Sequence, residues 1–207
     1  MIKDQPIQQF LDGLASKSPT PGGGGAAAIM GAMGAALVSM VCNLTLGKAQ
    51  YAAVQEEMEA TLARAEALRT RLTDMIQADA EVFDQVMAAY GLPKETDADK
   101  QARAEAIQAA LKTATDVPLA CAQACSELIE LSRVVAEKGN KNVVSDAGVA
   151  VLAGYGALKS AALNVYVNVG PIKDEAFVHS RISQLNAILT GMEVSVEEIY
   201  QEVEAKL

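Results

Sequence analysis

The chain has 207 residues, 51% of them hydrophobic, which is enough apolar side chain for one substantial core. Only 4% are aromatic, Trp is absent, and alanine and other small residues carry the apolar share, a profile that suits close-packed helices and fits strands poorly. The formal net charge of −9, with no run of basic residues, argues against binding a nucleic-acid duplex, because phosphate contacts need clustered Lys and Arg.

A first helix is expected from about Asp4 to Leu14, with Ile7, Phe10, Leu11 and Leu14 on one face. It gives way to Ser18-Pro-Thr-Pro-Gly-Gly-Gly-Gly, the most unusual local sequence in the chain. From Ala26 to Leu46 no residue is charged, over about the twenty residues that a bilayer requires. Ser39, Asn43 and Thr45 within it, and the lack of a flanking aromatic belt, mark it instead as the central buried helix of a soluble bundle. Its small residues Gly24, Ala27, Ala28, Gly31, Ala35 and Ser39 recur in steps of three and four, so another backbone can approach closely.

A third helix is predicted from Tyr51 to Tyr90, ended by Gly91-Leu-Pro93. Thr96 and Asp97 can cap a fourth, which continues to about Thr115. Pro118 then forces a kink or a new start, and that segment ends near Lys138, with Gly139 just past it. Asn140 to Ser145 reads as a polar turn and Asp146 as the opening of a second buried helix, stopped by Gly170-Pro171. The remainder, Asp174 to Leu207, is amphipathic and helical, with Ser195-Val-Glu-Glu198 resembling a capping box. The fold class is therefore all-α, an antiparallel bundle of long helices in a single domain over residues 1–207.

Asp79 stands out on spacing alone. Positions 72, 76, 79, 83, 86 and 90 form an apolar stripe on the long helix, and Asp79 sits where a core residue belongs. A carboxylate there must be paired or carry a raised pKa. It serves either as a general acid or base or as a structural hydrogen-bonding group. The glycine-rich turn, with Ser18, Thr20, Pro21, Gly22, Gly23 and Gly24, enters a helix N-terminus, where free N–H groups favour negative charge. It is not a nucleotide-binding P-loop, since no Gly-Lys-Ser/Thr follows. Gly139-Asn140-Lys141-Asn142 and Ser145-Asp146 place amides, a lysine and an acid at another helix start, where Ser145 or Asp146 is expected to cap. Asn164 and Asn168 lie four apart on one face, bridging helices or binding a ligand.

Cys42, Cys121 and Cys125 sit in apolar, helix-like surroundings and read as buried reduced thiols, which indicates a reducing, cytoplasmic location. The N-terminus carries no apolar signal segment. His179 is the only histidine and reads as surface-exposed, so neither a metal site nor a Ser/His/Asp arrangement is expected.

Taken in order, Ser18-Pro-Thr-Pro-Gly-Gly-Gly, Ala78-Asp79-Ala80-Glu81-Val82-Phe83, Tyr90-Gly-Leu-Pro-Lys94, Val117-Pro118-Leu119, Gly139-Asn140, Ser145-Asp146 and Ala162-Leu-Asn-Val-Tyr-Val-Asn168 resemble the methenyltetrahydrofolate cyclohydrolase and formiminotransferase-cyclodeaminase family. The resemblance covers about Phe10 to Phe177 and is nearest to the stand-alone cyclohydrolase. It implies an all-helical homodimer acting on a folate, without nucleic acid, membrane or cofactor. It also implies that Asp79 is the proton donor and acceptor, with the glycine turn, Lys48 and Lys141 as candidates for holding the folate tail or an intermediate oxygen. The two-domain enzyme has a further acid two residues before that aspartate, where this chain has Gln77. The reactions implied are hydrolysis of 5,10-methenyltetrahydrofolate and, alternatively, cyclisation of 5-formiminotetrahydrofolate with loss of ammonia. A non-catalytic helical scaffold is the alternative of another class.

Overall fold

In the computed structural model, which describes residues 1–207, seven α-helices and three short 3-10 turns make up all the regular structure. The helices are α1 (Ile7–Leu14), α2 (Gly23–Thr45), α3 (Gln55–Tyr90), α4 (Asp97–Lys138), α5 (Val144–Val169), α6 (Glu175–Leu189) and α7 (Met192–Glu204).

The centre is α2, apolar on nearly every side, with Ala27, Ala28, Ala35, Val38, Val41 and Cys42 buried. Its small residues let neighbouring helices close in. A Cβ on Gly31 would stand 3.1 Å from both Cys125 Sγ and Leu72 Cδ2. One on Gly34 would stand 2.8 Å from Leu128 Cδ2 and 3.0 Å from the Ala150 carbonyl. Helices α3, α4 and α5 therefore all pack against α2. Asp79 lies opposite Gly25 and Leu72 opposite Gly31, so α3 runs antiparallel to α2. Asn164 faces Gly23 while Ala150 faces Gly34, so α5 does too. Asn168 bonds Ala114 while Gly154 meets Leu128, which makes α4 antiparallel to α5. The result is the expected antiparallel bundle, and α7 lies across it through Val196, Ile199 and Val203.

Several local expectations change. Residues 2–4 form a 3-10 turn tied to α3, with Ile2 N–H donating to Gln77 Oε1 at 2.9 Å, and α1 starts only after Pro6. Residues 49–54 are likewise a 3-10 turn, broken at Tyr51 (φ −112°, ψ 21°), before α3 begins. Of the kink or new start expected at Pro118, the new start does not occur: the fourth helix runs through it for 42 residues, about 63 Å. Proline leaves the Ala114 carbonyl without its helical donor, and Asn168 Nδ2 on α5 fills that vacancy at 2.7 Å. The last third breaks at Gly191, whose φ of +79° suits glycine, so Ser195 lies inside α7 and caps nothing. Its hydroxyl accepts instead from Arg133, which also pairs with Glu198 at 3.0 Å.

Thr96 caps α4 as expected, in a reciprocal box with Asp99: the Asp99 N–H donates to Thr96 Oγ1 at 3.1 Å, and the Thr96 N–H to Asp99 Oδ2 at 3.0 Å. Neither Ser145 nor Asp146 caps α5, because that helix already starts at Val144.

Two features of the bundle matter for function. Helix α3 continues 11 residues, about 16 Å, past Asp79 and pairs with the start of α4 beyond the N-terminal end of α2. A small satellite core of Ala89, Ile107, Leu111 and Ile172 holds that extension. Helices α2 and α5 also each leave an apolar stripe uncovered, with Met33 60%, Leu163 66% and Val167 73% exposed. Both are long and apolar enough to cross a membrane, yet 61% of the most apolar stretch of α2 is packed inside the bundle.

Candidate active site

The cleft opens where α2 begins. Gly22 stands at the N-cap of α2, and the Ala26 N–H is the first to find a carbonyl within the helix, donating to Gly22 at 3.0 Å. The N–H groups of Gly23, Gly24 and Gly25 precede that first intrahelical bond. Gly25 donates to Asp79 Oδ2 at 2.9 Å. Gly24 has no room for a side chain: a Cβ would overlap the Asp79 carboxyl and lie 2.8 Å from Oδ2. Glycine at this position is therefore a spatial requirement of the carboxyl.

Asp79 is half-buried, and its carboxyl is pushed above the usual carboxylate range. Burial, which disfavours the charged form, is the larger cause, and the Gly25 N–H pulls the other way. Along the stripe that predicted this position, Leu72 and Ile76 are buried, whereas Phe83 and Val86 are half-buried and line a cleft of about 280 Å³. Asp79 thus sits where the core stripe becomes a ligand wall.

Of the residues singled out from sequence, Thr20, Gly22, Gly23, Gly24, Asp79, Asn164 and Asn168 meet in this cleft. Ser18 and Pro21 do not line it but shape its rim: Ser18 Oγ donates to the Thr20 carbonyl at 2.6 Å, and Pro21 packs on Gly13. Lys48, Asn140, Lys141 and Asp146 lie elsewhere, near the C-terminal end of α2, about 33 Å along the helix from the glycine turn. Asn140 is buried there as a fastening, donating to the Leu44 carbonyl at 2.8 Å and accepting from Tyr51 and Asn142. Within one chain these four residues cannot serve the Asp79 cleft, and no Lys or Arg lines it. Gln77 points away too, toward Ile2 and Glu81.

Sequence reasoning did not assign Pro19, Val82, Phe83, Val86, Ala114 or Val167 to the site. Ala114 carried a signal, since it lies four residues before Pro118 and its carbonyl must find a donor outside the helix. Behind Asp79, toward Pro118 and Cys121, is a void of about 10 Å³, near the minimum for one water.

His179 is exposed, as expected. The three cysteines are buried and unpaired; burial pushes Cys42 up to about 11, and Cys125 is raised by its hydrogen bond with Cys121 and then by burial. No three His, Cys, Asp or Glu side chains converge in a way that could hold a metal ion. The cleft therefore offers one carboxyl whose pKa burial raises, free N–H donors of a helix N-terminus, amide groups and an apolar wall. That set suits a flat, hydrogen-bonding ligand undergoing proton transfer.

A family model described as formiminotransferase-cyclodeaminase matches residues 6–187. The chain is 58% identical over 207 residues to a methenyltetrahydrofolate cyclohydrolase of Methylorubrum extorquens, covering all of both chains. It is 37% identical over 184 residues to the formimidoyltransferase-cyclodeaminase of Sus scrofa, covering 87% of this chain but 34% of that one. The crystal structure of a formiminotetrahydrofolate cyclodeaminase from Thermotoga maritima superposes with a TM-score of 0.85 at 32% identity, over 100% of this chain and 98% of that one. The chain belongs to the formiminotransferase-cyclodeaminase family.

Proposed function

We propose that the chain hydrolyses 5,10-methenyltetrahydrofolate to 10-formyltetrahydrofolate, with Asp79 as both proton acceptor and proton donor. The observation that carries this reading is the half-buried Asp79 carboxyl, held by the Gly25 N–H at the mouth of the cleft and raised above its ordinary pKa. Water adds to the carbon between N5 and N10, and Asp79 takes one of its protons. Asp79 then returns that proton to N5 as the carbon–N5 bond breaks. The hydroxyl of the tetrahedral intermediate becomes the formyl oxygen on N10, its proton leaving to solvent. The N–H groups of Gly23 and Gly24, which precede the first intrahelical bond at the cleft, would donate to that oxygen.

A second reading has specific support, because the pig relative and the Thermotoga maritima structure are cyclodeaminases by name. Cyclisation of 5-formiminotetrahydrofolate passes through a tetrahedral centre at the same carbon and expels ammonia, with Asp79 protonating the leaving nitrogen. Hydrolysis is preferred because the relative matched end to end at 58% identity is a cyclohydrolase.

The apolar stripes on α2 and α5 support a homodimer. The cleft residues supply the whole acid–base scheme without a cofactor or metal, the buried thiols fit a cytoplasmic protein, the net charge of −9 fits one free of nucleic acid, and the packing of α2 inside the bundle fits one free of membrane. The purified chain should bleach the absorbance of methenyltetrahydrofolate faster than the uncatalysed rate and release no ammonia. Faster ammonia release from the formimino compound would move the assignment to the cyclodeaminase, and inertness toward both would remove the enzymatic reading.

A further inference from the structure

The α5 wall of the cleft carries two amides whose orientations are fixed from behind. Asn164 Nδ2 donates to the Ser160 carbonyl at 2.9 Å, and Asn168 Nδ2 to the Ala114 carbonyl at 2.7 Å. A carbonyl oxygen can face only the NH₂ end of an amide, so both Oδ1 atoms are turned away from these partners. No donor of the chain reaches either Oδ1 atom, and neither is sealed from solvent: Ser39 Oγ is the one buried side-chain polar atom left unpaired in the whole chain. Both asparagines line the cleft. The wall therefore presents two vacant acceptors, one helical turn apart.

The spacing of the two residues along α5 is near what one chemical group needs. Residues four apart on a helix rise about 6 Å along its axis. Two acceptors that take the two hydrogens of one planar NH₂ group at ordinary bond lengths stand roughly 5 Å apart. We infer that Asn164 and Asn168 are specificity-determining residues that grip the exocyclic 2-amino group of the pterin between their two Oδ1 atoms. This deepens the folate reading and rests on it. Pro118 is a positioning residue in this arrangement: by removing the donor that would satisfy the Ala114 carbonyl, it reserves the NH₂ end of Asn168 for that carbonyl and holds its oxygen toward the cleft. An acceptor pair of this kind admits a donor and leaves unpaired a ligand that carries a methyl group there.

The test is a cycle of ligand against variant, read as dissociation constants by calorimetry. The probes are tetrahydrofolate and its 2-desamino-2-methyl counterpart. The wild-type chain should bind tetrahydrofolate at least about tenfold more tightly than the analogue. Asn164→Ala removes only an amide whose backbone partner already serves the helix, so it should fold normally and cut that preference several-fold while leaving the analogue's affinity in place. Asn168→Ala orphans the Ala114 carbonyl, so it is tested together with Pro118→Ala, which restores the helical donor; the pair should lose preference likewise. Pro118→Ala alone should keep its fold and also lose preference, because the Asn168 amide is free to turn. An unchanged preference in the folded Asn164→Ala and Asn168→Ala/Pro118→Ala chains overturns the inference while methenyltetrahydrofolate hydrolysis keeps the folate reading standing. Failure of the wild type to bind tetrahydrofolate or hydrolyse the methenyl compound overturns both.

Discussion

Replacing Gly24 by alanine tests whether the glycine turn exists to make room for the carboxyl of Asp79. The added Cβ would overlap Oδ1 and Cγ and come within 2.8 Å of Oδ2. Because non-bonded carbon and oxygen atoms settle near about 3.3 Å or beyond, the carboxyl must retreat by about 1 Å or more, or α2 must shift. Either movement breaks the 2.9 Å bond from the Gly25 N–H, since both groups lie on the same turn of α2. Overpacking of this kind costs about 1–3 kcal/mol of stability, and the helix preference for alanine over glycine offsets up to about 1 kcal/mol of it. The fold should survive, but a reacting group displaced by about 1 Å loses roughly 10²-fold in rate. Steady-state loss of methenyltetrahydrofolate absorbance should show that fall mainly in kcat, with circular dichroism unchanged. Gly156→Ala is the control: a Cβ there meets nothing within 4 Å, so stability should hold or rise and turnover should stay. A folded Gly24→Ala chain with wild-type turnover would refute the reasoning.

Three further outcomes follow from the same structure. The Asp79 carboxyl is raised in the folded chain, so burial favours its protonated form: that contribution to stability is fully present below the unfolded carboxylate pKa and is lost as pH rises through the folded pKa. Asp79→Asn should therefore unfold at a higher temperature than wild type at pH 7, with the gap closing toward pH 4; a gap that widens on acidification would contradict this. Full turnover should persist after exhaustive chelation, and activity lost to a chelator and restored by a divalent ion would contradict the proposed metal-free mechanism. Met33→Glu, at a position 60% exposed on the α2 stripe, should turn a light-scattering dimer into a monomer at micromolar concentration; a wild-type chain already monomeric there would rule out this face as the interface.

Much of the fold was legible because its signals are local and periodic. The uncharged, glycine-rich run also had the length of a membrane span, but its small and polar residues marked it as a buried helix, and the alternation of threes and fours around Asp79 placed that residue at the seam. What was hidden depends on partners distant in sequence. Pro118 looked like a boundary because the donor that compensates it is Asn168, fifty positions away on α5. The break at Gly191 rests on a single glycine with positive φ, and no proline or polar cluster accompanies it. Lys48, Lys141, Asn140 and Asp146 were joined to the site by chemical type and by family resemblance, and neither conveys that they lie near the far end of α2 from the cleft. Val82, Phe83 and Val86 read as core, yet they line the cleft, because α2 begins level with Asp79 and leaves the α3 stripe uncovered beyond it.

The central claim is that Asp79 moves the proton, and Asp79→Asn tests it most directly. Asparagine keeps the shape and can still accept the Gly25 N–H, but it cannot exchange a proton at neutral pH. The folded variant should bind tetrahydrofolate with an affinity close to wild type and lose about 10²-fold or more in methenyltetrahydrofolate turnover, while Asp84→Asn, exposed on the same helix, stays near wild type. A folded Asp79→Asn chain that turns over methenyltetrahydrofolate and formiminotetrahydrofolate at wild-type rates would contradict the account.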